Sequence, residues 1–204
     1  MMEIIARTLG LLAANCFILR NNEEAIVIDP GGDFDIIQPI IGRRRLLYVL
    51  NTHGHYDHIA ANNELKARFD TCLAVGEHDA HTLLDPELNL SVMVDRPYIS
   101  VAPDLLLKEG DRIPFENKNL EIIYTPGHTV GSICIQIGDI LFSGDTLFFH
   151  SIGRTDLPTG SFSDLEKSIR NKLYRMPDGT KVYTGHGEDT VIGEEKRYNE
   201  FVRA

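Results

Sequence analysis

The sequence predicts an α+β protein, a four-layer αββα sandwich of two mixed β-sheets flanked by helices. Two observations carry this. Short apolar runs of strand length recur in both halves of the 204-residue chain, and each half also holds helical segments that need a sheet to cover them. The runs at 132–137 and 139–143 join at Gly138-Asp139, a tight turn that requires antiparallel neighbours. That hairpin ranks the sandwich above a doubly wound parallel sheet, which the βαβα alternation alone would fit.

Taken in order, the first half predicts strands at 2–9, 16–20 and 24–29, a helix at 33–41, a strand at 46–51 and a helix from Asp57 to Phe69. Ile26-Val27-Ile28 is a buried strand that ends in the turn Asp29-Pro30-Gly31-Gly32, where Asp29 caps the turn or supports a neighbouring side chain. Residues 76–110 are less periodic and read as an insertion over a site, with a short helix from Glu77 to Leu84 that puts His78 and His81 on an exposed face. The second half predicts strands at 113–115, 119–125, 132–137, 139–143 and 181–184, and a helix at 163–174. Ser163-Asp164-Leu165-Glu166 has the capping-box pattern, and Leu165, Ile169 and Leu173 form one apolar stripe.

At this length the chain reads as one domain, 1–204, with core enough to fold without staples. A net charge of −10 repels polyanions and excludes a nucleic-acid partner. Arg43-Arg44-Arg45 is the one basic run and reads as a solvated helix end. Cys16, Cys72 and Cys134 lie in or beside apolar runs, and none neighbours a His in a motif, so they read as reduced core thiols of a cytoplasmic protein. Leu9 to Ala14 is too short, and Glu3 too acidic, for a leader peptide. No run reaches the roughly 20 apolar residues of a membrane span, so no membrane is expected.

The chemistry is concentrated in His53-Gly54-His55-Tyr56-Asp57-His58, three imidazoles and a carboxylate on a short glycine-containing turn. Neutral imidazole and carboxylate are the ligands that first-row divalent cations prefer. Three further strand ends each present one such group in a glycine-containing turn: His128 in Thr125-Pro126-Gly127-His128, Asp145 in Ser143-Gly144-Asp145-Thr146, and His186 in Gly185-His186-Gly187. Seven candidate ligands exceed what one catalytic ion takes, so two adjacent ions are expected, with Asp145 as the natural bridge.

With the stretches at 53–58, 126–132, 143–148 and 185–187 in this order, the sequence resembles the metallo-β-lactamase superfamily, and within it the short, single-domain glyoxalase II-like (hydroxyacylglutathione hydrolase-like) proteins. The resemblance implies one ion on His53, His55 and His128 and a second on Asp57, His58 and His186, with Asp145 shared. Zinc is the expected metal, with iron or manganese as the other options. It implies hydrolysis of a small-molecule hydroxyacyl thioester by metal-bound hydroxide, with Asp57 orienting the nucleophile. No Gly-x-Ser-x-Gly nucleophile elbow competes with that role. The chain runs only 18 residues past His186, so the helical domain that holds glutathione in typical glyoxalase II is expected to be missing. Arg154 matches a basic position of the family. It either contacts a substrate carboxylate or amide, or pairs with Asp156 to shape its loop.

Gly153-Arg154-Thr155-Asp156 is shared with persulfide dioxygenases of the same superfamily, which gives the alternative: one iron on His53, His128 and Asp145 acting in oxygen chemistry. Ser151-Ile152 stands where those enzymes carry Gly-Cys, which favours the hydrolase.

Overall fold

The computed structural model describes residues 2–94 and 97–204, which form two compact units that meet in the chain at Leu106 and Leu107. The first unit carries a six-stranded mixed sheet whose spatial order follows the sequence: β1 (Glu3–Leu9), β2 (Ala14–Arg20), β3 (Glu24–Ile28), β4 (Arg45–Asn51), β5 (Cys72–Gly76) and β6 (Leu105–Leu107). The first three strands pair antiparallel, whereas β3, β4 and β5 pair parallel. Parallel neighbours need crossovers. These are helix α1 (Phe34–Ile41) between β3 and β4, and α2 (Tyr56–Ile59) with α3 (Asn62–Arg68) between β4 and β5. Ala25 to Ile28 are fully buried, as expected of a strand inside a covered sheet.

The second unit carries another mixed sheet, ordered β14 (Thr190–Val191), β13 (Lys181–Thr184), β10 (Ile140–Gly144), β9 (Ile133–Ile137), β8 (Lys118–Tyr124), β7 (Arg112–Phe115). The expected hairpin is present as antiparallel β9 and β10, and β13 runs parallel to β10. Between them lie a small pair, β11 (Leu147–Phe148) with β12 (Ser151–Ile152), and helix α4 (Phe162–Asn171); α5 (Ile192–Tyr198) follows β14. Leu165, Ile169 and Leu173 are fully buried in one cluster with Leu141 and Val182, so the predicted stripe packs against β10 and β13.

Several elements depart from the expectations. The single helix predicted from Asp57 to Phe69 is broken at Ala60-Ala61, because the Ala61 amide donates to Pro30 O at 2.9 Å instead of continuing the helical ladder. The helix from Glu77 to Leu84 is two 3-10 turns, Glu77–Asp79 and Thr82–Leu84, with His78 and His81 exposed as predicted. The cap of α4 is Ser161, not Ser163: the Asp164 amide donates to Ser161 Oγ at 3.3 Å, and the Ser161 amide is tied to Gly127 O at 2.8 Å. Strand β5, the small pair and α5 were not predicted. Among the described residues no helix is long and apolar enough to cross a membrane.

Burial raises the thiol of Cys16 and pushes that of Cys134 up to about 11; Cys72, half-buried, is also raised. At pH 8 an alkylating reagent is expected to modify Cys72 first, with Cys16 and Cys134 reacting only on unfolding. Folded Cys134 holds its proton more tightly than the unfolded thiol, so its contribution to stability is present below about 8.5 and lost as pH rises toward about 11. Mass mapping of the labelled sites checks this, and fast native labelling of Cys134 would contradict it.

Candidate metal-binding residues

In the first unit, four of the predicted ligands come together in the turn after β4. One ligand atom of His53 lies within 4.8 Å of one from His55 and of one from His58. The His53 ring stands edge-on to His55, with centroids 4.8 Å apart, and its centroid is 4.3 Å from that of His58. Asp57 Oδ2 is 3.6 Å from His58 Nε2. The three imidazoles are buried.

Asp29, at the end of β3, aims two of these rings. Buried and held at a positive φ of 52°, it accepts from the Thr52 amide at 2.7 Å, from Thr52 Oγ1 at 2.7 Å and from His58 Nδ1 at 3.0 Å. His58 therefore carries its proton on Nδ1 and presents the Nε2 lone pair. Thr52 gives its hydroxyl hydrogen to Asp29, so the contact of 3.1 Å from His53 Nδ1 to Thr52 Oγ1 is one in which the ring donates. His53 likewise presents Nε2. Imidazoles oriented through Nδ1 in this way are the usual form of a metal ligand. Gly54 fixes the turn between them, since its amide donates to buried Asp79 at 2.9 Å and a β-carbon there would meet Thr82 at 2.6 Å.

The second unit assembles the other three. His128 Nε2 and His186 Nε2 each lie 3.6 Å from the same oxygen, Oδ2 of Asp145. Donors around a tetrahedral ion with bonds of about 2.1 Å stand about 3.4 Å apart, so this spacing fits ligands of an ion better than hydrogen-bond partners. His128 is aimed by the backbone, its Nδ1 donating to Arg154 O at 2.7 Å. The turn that carries it is pinned by Ser168 Oγ donating to Pro126 O at 2.8 Å, and by Gly127, where a β-carbon would fall 2.2 Å from the Leu165 amide nitrogen of α4. Thr125 Oγ1 lies 3.0 Å from Thr146 Oγ1 and links the His128 turn to the Asp145 turn. Thr184 Oγ1 donates to His186 O at 2.8 Å, and a β-carbon on Gly185 would approach Asp145 Oδ1 to 2.1 Å.

Three imidazoles with a carboxylate in the first unit, and two imidazoles with a carboxylate in the second, are donor sets suited to zinc, iron or manganese. Of the other predicted site residues, Arg154 has its guanidinium on the surface, joined to Asp156 by two bonds of 2.9 Å. Sequence reading missed Thr52, Asp79, Thr125, Thr146 and the Arg154 carbonyl. Thr52 adjoins the first motif, and Thr125 and Thr146 lie inside the later ones, so adjacency was the available signal; nothing in the sequence marked Asp79.

The sequence pattern of the metallo-β-lactamase superfamily matches residues 9–186. The chain belongs to that superfamily. It is 35% identical over 198 residues to a probable metallo-hydrolase, YqgX, of Bacillus subtilis, covering 95% of this chain and 94% of that one. It is 36% identical over 197 residues to the hydroxyacylglutathione hydrolase GloC of Haemophilus influenzae, covering 93% of each. Among solved structures it is similar to the BLEG-1 B3 metallo-β-lactamase (TM-score 0.92, 35% identity, 99% of this chain and 100% of that one). It is also similar to TTHA1623 in a di-iron-bound form (0.87, 29%, 97% and 100%) and to ETHE1 from Myxococcus xanthus (0.81, 27%, 98% and 84%). The fold is therefore that of the superfamily, two mixed sheets with flanking helices.

Asp29→Asn keeps the backbone, because Asn tolerates the left-handed region, but replaces one acceptor oxygen by a donor facing Nδ1 of His58. Metal affinity is expected to fall about 10- to 100-fold with an unchanged far-UV spectrum. Competition with a chromogenic chelator measures it, and wild-type affinity would show that Asp29 does not orient His58.

Proposed function

We propose that the protein is a hydrolase of small hydroxyacyl thioesters that works with two divalent ions, most simply zinc. His53, His55 and His128 would hold one and Asp57, His58 and His186 the other, with Asp145 common to both. The observation that carries this reading is the single Asp145 oxygen flanked at 3.6 Å by His128 and His186, which are assigned to different ions. The superfamily pattern that runs from 9 to 186 supports it by including all seven residues. Divalent ions in such a set lower the pKa of water to about 7 and polarise a carbonyl oxygen.

The chain's own residues then have distinct tasks. Asp57, 3.6 Å from His58 Nε2 through Oδ2, would help hold the second ion and would orient the attacking water. Asp29 and Thr52 hold the histidine tautomers through the cycle, so little reorganisation accompanies charge development. A thiolate leaves without a strong general acid, which matches a set of residues that offers none. Arg154 would reach a substrate carboxylate by exchanging its partner Asp156, while its carbonyl keeps His128 in place. Likeness to a hydroxyacylglutathione hydrolase supports the acyl thioester as substrate. The free state of the three cysteines supports a cytoplasmic location.

The dioxygenase alternative, one iron on His53, His128 and Asp145, is supported by the likeness to ETHE1. It assigns no task to Asp57 or to His58, whose ring Asp29 orients. Metal-loaded protein is expected to cleave S-lactoylglutathione, and Asp57→Asn to lower kcat about a hundredfold or more through misplacement of the nucleophile. Oxygen uptake with glutathione persulfide, without thioester cleavage, would reverse the assignment. Wild-type turnover by Asp57→Asn would remove Asp57 from the mechanism.

A further inference from the structure

In the second unit, the loop that follows Asp145 is held by a residue far along the chain. Strands β11 and β12 pair at only two positions, Leu147 with Ile152 and Phe148 with Ser151, too short a ladder to be stable alone. Their turn, Phe149-His150, holds His150 at a positive φ of 54°, where glycine or asparagine is usual. A bulkier residue keeps such a backbone only where its surroundings over-determine it. Glu195 of α5 does so here. Fully buried, it accepts the His150 amide on both carboxylate oxygens at 3.1 Å.

The same carboxylate gathers two further segments. Thr190 Oγ1, in strand β14 that returns from the His186 turn, donates to Oε1 at 2.6 Å. Asn199 Nδ2 donates to Oε2 at 2.8 Å and to Ser151 O at 3.0 Å, so α5 also grips β12. At the other end of the hairpin, the Phe148 ring stands edge-on to His186, with centroids 6.0 Å apart and planes at 86°. We infer that Glu195 is a positioning residue: by fixing the His150 turn it sets where Phe148 stands, and Phe148 restricts the orientations open to the His186 ring. A ligand ring held in this way has less freedom to lose when an ion binds. This rests on the two-ion reading for the role of His186, while the placement of its ring can be measured separately.

Glu195→Gln keeps the length and volume of the side chain but replaces one acceptor oxygen by a donor, so whichever way the amide lies a donor faces the His150 amide. Zinc-loaded wild type is compared with Glu195→Gln, Phe148→Leu, the double variant and Glu194→Gln, which removes only the bond from Glu194 to His150 Nε2. Chelator competition measures each zinc-binding step, and His186→Ala identifies the step to which His186 contributes. Glu195→Gln and Phe148→Leu are each expected to weaken that step about tenfold, with the other step and the far-UV spectrum unchanged. The double variant should also lose about tenfold, not about a hundredfold, because both changes act on one contact. Proton–nitrogen spectra of the imidazoles should show altered His186 signals in both single variants, with those of His53 and His58 as in wild type. Glu194→Gln should match wild type throughout. A lower melting temperature in Glu195→Gln, with wild-type zinc affinity and His186 signals, would leave Glu195 a structural residue and overturn the inference. So would full additivity in the double variant, or an unchanged His186 in Phe148→Leu, a variant that leaves the buried carboxylate in place if Glu195→Gln does not fold. One zinc per wild-type chain would remove the two-ion reading, yet the His186 signals would still decide the role of Glu195.

Discussion

The arrangement depends on one buried carboxylate. Asp29 sits where a parallel strand ends, and three donors from the neighbouring strand end and its turn converge on its two oxygens. Burying such a group without partners would cost several kcal/mol, so the loop after β4 is held to the position that supplies all three. The same bonds decide which nitrogen of His53 and of His58 faces outward. Removing Asp29 would leave the strands able to pair, but the imidazoles would lose their fixed tautomers.

The second unit reaches the same end by different means. His128 is oriented by a backbone carbonyl, and its turn is held by close packing of Gly127 under α4 and by the Thr125–Thr146 link. Gly185 leaves the room that the Asp145 carboxylate occupies. Rigid strand ends, short turns and small residues at the points of closest approach together fix the positions of these candidate ligands, which would reduce the ordering cost of binding an ion.

The parts legible in the sequence were those with a local signature. The clustering of the candidate ligands could be read because chemically specific residues recur at strand ends, and the Gly138-Asp139 hairpin because turn chemistry is local. Strand β5 escaped because Cys72-Leu73-Ala74-Val75-Gly76 is a short, wholly apolar run with no alternation, which periodicity cannot separate from helix or loop. The Ser163 capping box failed for a related reason. Two serines lie within reach of the helix start, and the choice between them is made by the Ser161 amide bonding to Gly127, a residue 34 positions away in sequence (161 − 127). Asp79 and the Arg154 carbonyl are likewise tertiary facts, since a buried acid and a main-chain oxygen leave no pattern in the chain.

The central claim is that the seven ligands of the two units serve two ions that share Asp145. Metal atoms per chain, measured by mass spectrometry on protein saturated and then gel-filtered, test it most directly when wild type is compared with His186→Ala and His55→Ala. The account predicts two atoms in the wild type and about one in each variant. One atom in the wild type, unchanged in His186→Ala, would contradict it.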